Sequence, residues 1–164
     1  IKQPMSRGQY PSTRMRRNRI TSFSRRLVAE NRLDTSDLIW PLFVIEGQSM
    51  IEPIDAMPGV FRYSIDQLLK QAAKAVELRI PAIAIFPSID ATIKDEFGSL
   101  ASDGDNLVCR AVSAVKTAFP ELGIICDVAL DPFTSHGHDG LLDGEKILND
   151  ETIVLLCKQA VHQA

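Results

Sequence analysis

The chain has 164 residues, 45% of them hydrophobic and 24% charged, with a formal net charge of −3. That is the composition of a folded globular domain able to bury roughly 68–70% of its unfolded surface, and no apolar run approaches the ~20 residues that span a bilayer. The charge is uneven: residues 1–35 carry nine basic side chains against Glu30 and Asp34, a local +7, while residues 36–164 carry nine basic and nineteen acidic groups, a local −10.

An arginine-rich arm over residues 1–35 therefore precedes an acidic body over residues 36–164. The arm holds only Tyr10 and Phe23 as aromatics and no nucleic-acid-binding motif. Docking on an acidic body, its own or a neighbour's, is expected in preference to nucleic acid. Cys109, Cys126 and Cys157 form no CxxC pair, so reduced thiols in a cytoplasmic protein are expected.

In chain order, residues 1–20 contain Pro4, Gly8 and Pro11 and no hydrophobic period, and read as an extended arm. Residues 23–33 read as a short helix capped by Ser22 or Ser24, with Phe23, Leu27 and Val28 on one face. Residues 38–46 form a buried strand without alternation, in which Pro41 points to a bulge or an edge-like position. Residues 47–59 read as a loop with a turn at Met57-Pro58-Gly59. Ser64-Ile-Asp-Gln67 predicts a capping box, opening a helix to about Leu78 with Ile65, Leu68, Leu69, Ala72 and Val76 inward.

Residues 82–89 are a second buried strand. Residues 87–103 form a long polar loop, a candidate functional or mobile segment. Asp105 or Asn106 is placed to cap the next helix, with Val108, Ala111, Val112, Val115 and Phe119 inward and Pro120 as its stop. A third strand covers residues 123–130. The last helix, capped by Asn149 or Asp150, turns Ile153, Leu156 and Ala160 inward. Strand centres near Leu42, Ala84 and Cys126 lie 42 residues apart with a helix between them. Repeating βα units of this kind build an open doubly wound sheet or a closed barrel. Eight would need about 340 residues, the upper range of a (β/α)8 barrel, so these 164 are expected to be part of a longer chain.

The stretch GIICDVALDPFTSHGHDGLL concentrates the chemistry. If the strand holds through Leu130, Ile125, Asp127, Ala129 and Asp131 share one face and Ile124, Cys126, Val128 and Leu130 the other. Carboxylates then gather at the C-terminal end of a parallel strand, where α/β folds bind ligands. Residues 134–141 add His136, His138, Asp139 and two glycines. The plainer alternative is that these carboxylates cap loop amides and the glycines serve turns; the density of titratable groups favours a site.

The segments YPSTRMRRNR, LIWPLFVIEG, AMPGVFRYSID, IPAIAIFP, FPELGIICDVALDPFTSHGHDGLL and ILNDET resemble the porphobilinogen synthase (5-aminolevulinate dehydratase) family, in its bacterial form. They cover nearly the whole chain from Tyr10 onward. The resemblance implies the N-terminal part of a (β/α)8 TIM barrel, three βα units long, with an N-terminal arm that embraces a neighbour, usually in a homo-octamer. It implies a lyase that condenses two 5-aminolevulinate molecules to porphobilinogen with loss of two waters, through Schiff-base lysines that lie beyond residue 164. Lys70, Lys74, Lys116 and Lys158 on helices and Lys94 in a loop are not substitutes for them, because a Schiff-base lysine needs a desolvated pocket. The 164 residues alone are therefore expected to be inactive.

The resemblance also assigns Asp127 to the barrel mouth, to hold a substrate amine or assist proton transfer, with Asp131 beside it. An interior ion pair between Asp127 and a barrel lysine is a compatible alternative. Zinc-dependent members have cysteines where this chain has Ala129, Asp131 and Asp139. Alanine offers no ligand atom and carboxylates are hard donors, so magnesium is expected rather than zinc, with Asp131, Asp139 and His138 as weak candidate ligands. Arg79 stands where relatives commonly have glycine, so the usual left-handed helix cap is expected to be missing there. The competing function is a non-catalytic half-barrel that assembles with or binds a partner.

Overall fold

The structure is a computed structural model that describes residue 9, residues 11–13 and residues 16–164. Lys2, Pro4, Arg7, Gly8, Tyr10 and Arg14, and with them most of the predicted extended arm, lie outside the described residues. The chain divides into two compact units, Ile1–Asp34 and Thr35–Ala164.

In the first unit a 3-10 turn at Arg17–Arg19 leads to helix α1, Ser22–Leu27. The cap is neither Ser22 nor Ser24 but Thr21, whose hydroxyl accepts from the Ser24 N–H. The helix stops at Leu27, well short of the predicted Leu33. None of its residues is buried, and so short a helix lacks the tertiary packing that would extend it.

The second unit is built on strand β1 (Ile39–Val44), β2 (Ile51–Pro53), β3 (Phe61–Tyr63), helix α2 (Ile65–Glu77), β4 (Ala82–Pro87), α3 (Leu107–Ala118) and β5 (Gly123–Cys126). A small hairpin of β6 (Leu142–Asp143) and β7 (Lys146–Ile147) precedes helix α4, Asn149–Gln163. The main sheet runs in the order β2-β3-β1-β4-β5. β3, β1, β4 and β5 are parallel, and β2 pairs antiparallel to β3. The three predicted strands are thus neighbours in sequence order, each followed by a helix.

The predicted loop over residues 47–59 instead contains β2 and leads into β3. These three-residue strands are too short to show a period in the sequence. The turn at its tip forms as expected, with the Val60 N–H on the Met57 carbonyl at 3.0 Å and Gly59 at φ 84°. Pro41 is tolerated because β3 is in register with β1 only at Phe43 and Val44, leaving the strand edge-like where the proline sits.

The sheet buries one face against helices. Leu42 and Val44 of β1 and Ile83 and Ile85 of β4 meet Leu68, Ala72 and Ala75 of α2 and Leu107, Ala111 and Val115 of α3. On α2 Ala75 takes the inward place expected of Val76, which is 48% exposed. Asn106 caps α3, its Oδ1 accepting from the Cys109 N–H at 3.0 Å. The opposite face carries Phe43 and Phe86, with ring centroids 5.7 Å apart, and leaves Ile125 exposed. Among the described residues no helix is long and apolar enough to cross a membrane.

The predicted capping box at Ser64 does not form, since its hydroxyl makes no cap bond. The hydroxyl accepts from the Met50 N–H at 2.9 Å and donates to Asp66 Oδ1 at 2.6 Å. Asp66 also accepts from the Ser49 N–H, and its second oxygen accepts from Gln67 Nε2 at 2.7 Å. The acid two residues into α2 therefore fastens the helix start to the chain that enters β2. These bonds, that of Ser64 foremost, lower the Asp66 carboxyl from its ordinary 3.8 to about 2.

At the other end of α2 the left-handed cap is present after all. Arg79 adopts φ 59°, the Ile80 N–H reaches the Ala75 carbonyl at 2.9 Å and the Arg79 N–H reaches Val76 at 3.0 Å. That is a complete Schellman closure with arginine in the glycine position.

The last strand and last helix also depart from expectation. β5 ends at Cys126 rather than Leu130, so the alternation of Asp127, Ala129 and Asp131 is not realised. Ala129 and Leu130 are both buried while Val128 is exposed. Neither Asn149 nor Asp150 caps α4, where Leu148 holds the cap position without a side-chain bond. The inward residues of α4 are Thr152, Gln159 and Gln163, with Leu155 and Leu156 on the second core of Ala101, Val108, Leu130 and Phe133. Ile153 is half exposed and Ala160 exposed. Of the three residues expected inward Leu156 packs on a core, while polar side chains take the buried places on the turns to either side of it, which a hydrophobic pattern does not register.

Two predictions follow from the ends of α2. Replacing Arg79 by glycine relieves a left-handed L-residue and should stabilise the protein by about 0.5–1 kcal/mol, read as a higher urea midpoint. The depressed carboxyl of Asp66 contributes stability that is fully present above its unfolded value of 3.8 and is lost as pH falls through about 2. Urea midpoints measured between those pH values should fall more steeply for the unsubstituted protein than for Asp66→Asn.

Candidate functional site

Ligand chemistry in a parallel sheet is expected beyond the carboxyl ends of its strands, here after Val44, Pro87 and Cys126. The connection after β4 is ordered by two carboxylates. Asp90 accepts from the Thr92 N–H at 2.8 Å and from its hydroxyl at 2.7 Å, starting a 3-10 turn at Ala91–Ile93. Asp95 Oδ1 accepts from the Phe97 and Ser99 N–H groups, each at 3.0 Å. The amide of Ser99 is the largest influence holding the Asp95 carboxyl below its ordinary value. The Asp95 carbonyl accepts from the Ser135 N–H at 2.8 Å, and Asp95 bridges Thr134 in parallel register. The long polar segment thus braces the loop after β5.

That loop, residues 127–141, is pinned at several points. The Phe133 and Thr134 N–H groups converge on the Leu130 carbonyl at 2.8 and 2.9 Å. Thr134, 1% exposed, donates from Oγ1 to the His138 carbonyl at 2.9 Å. Gly137 turns the chain at φ 72°. A Cβ on Gly140 would stand 3.0 Å from Ile147 Cγ2, so a side chain there would press on the hairpin. His136 Nδ1 accepts from the His138 N–H at 3.1 Å and its Nε2 lies 3.2 Å from the Glu96 carbonyl. This pairing puts the ring proton on Nε2.

The predicted site residues fare differently. Asp127 is the first residue past β5 and is exposed, at the carboxyl edge where it was expected. Asp131 is exposed on the same loop. Asp139 turns back to accept from the Leu130 N–H through Oδ1, so for this residue the plainer capping role is the one found. His138 is exposed, its ring 5.5 Å from that of His136. Asp131, His138 and Asp139 are not gathered into a metal centre. Among the described residues no group of three or more His, Cys, Asp or Glu side chains is placed to hold an ion. A magnesium or zinc ion does not fit these residues by themselves, because too few donors converge on one point.

Sequence reasoning passed over other groups at this edge. A cleft of about 400 Å³ is lined by Glu96, Ser135, His136, Leu142 and Gly144. A second, of about 230 Å³, opens beyond β1 and β4 beside Glu46, Glu52, Ser88 and Asp90. Glu52 pairs with Arg62 at 2.8 Å and Glu46 with Arg110. These acids lie on β2 and on the connections after β1 and β4, so only the register of the sheet brings these segments to one edge. Lys146 on β7 was likewise not considered, and it is exposed. Lys70, Lys74, Lys116 and Lys158 are exposed on their helices and Lys94 is half-buried. The thiols of Cys109 and Cys126 are pushed up, chiefly by burial, which disfavours the thiolate a nucleophile needs.

Comparison with known proteins adds the family. The model of the family described as delta-aminolevulinic acid dehydratase matches residues 12–164. A delta-aminolevulinic acid dehydratase of Bradyrhizobium diazoefficiens is 56% identical over 151 residues, covering 92% of this chain and 43% of its own. That of Chlamydia pneumoniae is 44% identical over 142 residues, covering 87% of this chain and 43% of its own. The crystal structure of delta-aminolevulinic acid dehydratase (porphobilinogen synthase) from Toxoplasma gondii ME49, in complex with the reaction product porphobilinogen, superposes with a TM-score of 0.86 at 42% identity. It covers 92% of this chain and 43% of that one. The chain spans less than half the length of these relatives, and its sheet is the first part of their TIM barrel. With a family match that runs from the arm to the end of α4, this chain belongs to the delta-aminolevulinic acid dehydratase family.

Proposed function

We propose that the protein to which this chain belongs is a porphobilinogen synthase. It joins two molecules of 5-aminolevulinate into porphobilinogen and releases two waters. The observation that supports this most is the family match over residues 12–164, whose site motif DVALDPFTSHGHDG begins at the carboxyl edge of the parallel sheet. Asp127 is the residue of this chain that acts on substrate, holding an ammonium group or relaying its proton. Asp131 lies four residues on and offers a second carboxylate to a cationic substrate.

The Schiff-base lysines belong to strands beyond residue 164. The described lysines are exposed or half-buried, whereas an amine that attacks a carbonyl at neutral pH needs desolvation to lose its proton. The 164 residues alone are therefore inactive in this reading. Magnesium is the metal of the proposal, since the donors in the motif are carboxylates rather than thiolates, and residues outside this chain must supply most of its ligands. The protein acts in the cytoplasm with Cys109, Cys126 and Cys157 reduced; all three are free thiols.

The assay is porphobilinogen formation by the protein at the full length of its relatives. Activity should be stimulated by magnesium and indifferent to zinc, and Asp127→Asn should lower kcat by about a hundredfold or more. Borohydride with 5-aminolevulinate should add mass to the full-length protein and none to residues 1–164. A full-length protein that makes no porphobilinogen overturns the reading.

The first unit is the candidate for assembly into a homo-octamer. Phe23 is 60% exposed and Leu27 79%, and with Ile20 and Val28 they line an open apolar groove. An arginine-rich segment with exposed apolar side chains suits the acidic body of a second subunit. Replacing Phe23 and Leu27 by serine should shift the full-length protein to smaller oligomers, read by native mass spectrometry.

A further inference from the structure

Past Cys126 the backbone has left the sheet. β5 pairs with β4 only from Gly123 to Cys126, and the next residue of β4 in line to continue the ladder is followed by Pro87, which has no N–H to donate. Asp127 to Leu130 are held by other means. The Leu130 N–H is taken by Asp139, and its carbonyl by Phe133 and Thr134. The carbonyls of Asp127 and Ala129 point at α4. There Gln159 Nε2 donates to the Ala129 carbonyl at 3.0 Å, and Gln163 Nε2 donates to the Asp127 carbonyl at 3.4 Å.

The two glutamines are one helical turn apart on the same face of α4. Gln159 is wholly buried and Gln163 is 9% exposed. Each leaves its Oε1 buried with no hydrogen-bond partner among the described residues. A backbone carbonyl only accepts, so the amide nitrogen must face it and the amide oxygen is the end left stranded. A buried acceptor without a partner is costly, and an apolar side chain of the same shape would avoid that cost only by stranding the backbone carbonyl in its place. Glutamine at these two places is therefore there for its donor rather than for its bulk. What the amide contributes is a donor aimed at the backbone on either side of Val128.

We propose that Gln159 and Gln163 are positioning residues: from α4 they fix the two carbonyls that flank Val128 and so aim the carboxylate of Asp127 at the substrate. The inference rests on the synthase reading and on Asp127 touching the substrate. The Asp127 carbonyl shares its peptide plane with the α-carbon that bears the carboxylate. Rotation of that plane swings the side chain, and no strand ladder opposes the rotation.

The test uses the full-length protein. Gln159→Met keeps the shape and removes both the donor and the stranded oxygen. It exchanges the stranded oxygen for an unpartnered Ala129 carbonyl, so the thermal midpoint should fall modestly with the protein still folded, while kcat falls by about ten- to a hundredfold, the scale of a misplacement near 1 Å. Gln159→Glu restores a donor only when its carboxyl is protonated. Its kcat relative to the unsubstituted protein should rise as pH is lowered, whereas that of Gln159→Met should stay at one ratio. Unchanged kcat in Gln159→Met overturns the inference. So does a Gln159→Glu ratio that is flat with pH, and this second variant decides the matter if the first fails to fold. Absence of product from the unsubstituted full-length protein is a different result, which overturns the synthase reading and the positioning role with it.

Discussion

The exchange of ladder hydrogen bonds for side-chain hydrogen bonds at Cys126 governs the functional edge of this protein. Up to that residue β5 is specified by its register on β4, a constraint shared by every residue of the strand. Beyond it buried backbone groups must still find partners. Gln159, Gln163 and Asp139 supply them, from a helix on one side and a loop on the other. The segment is thereby free of the two-residue period of a strand and can present Asp127 outward while burying Ala129 and Leu130 side by side.

The same economy of means recurs around the sheet. Acids near the carboxyl edge serve first to hold loops: Asp66 fastens α2 to the chain entering β2, Asp90 starts a turn, and Asp95 collects the amides of Phe97 and Ser99 while its carbonyl takes that of Ser135. Each is an ionised acceptor facing N–H or O–H donors, which favours the charged form and lowers the carboxyl. This leaves Asp127 and Asp131 as the exposed carboxylates of the motif that hold no backbone amide, unlike Asp139, which is exposed but accepts from Leu130.

The opposite face of the sheet bears on assembly of the barrel. Phe43 and Phe86 stack across β1 and β4 and Ile125 stands exposed beside them. An apolar sheet face needs cover, and in a (β/α)8 barrel that cover is the layered side chains of the remaining strands. The helices α2 and α3, by contrast, already bury the outer face with a closed core of Leu, Ile, Val and Ala.

Much of this was legible in the residues. Three strands, the helices between them, the turn at Gly59 and the Asn106 cap follow from short-range rules, because each depends on side chains within a few positions of one another. The motif from Asp127 to Asp139 was legible too, as a dense run of titratable groups. Only the tertiary structure decided that β5 ends at Cys126, that Asp139 is spent on a backbone amide, that β2 and β3 form a hairpin, and that α4 turns glutamines inward. In each case the deciding partner lies beyond the reach of a local pattern, nine residues away for Asp139 and thirty for Gln159. Sequence pattern registers which side chains avoid water; it does not register which buried carbonyl, left over by a strand that has stopped, needs an amide to meet it.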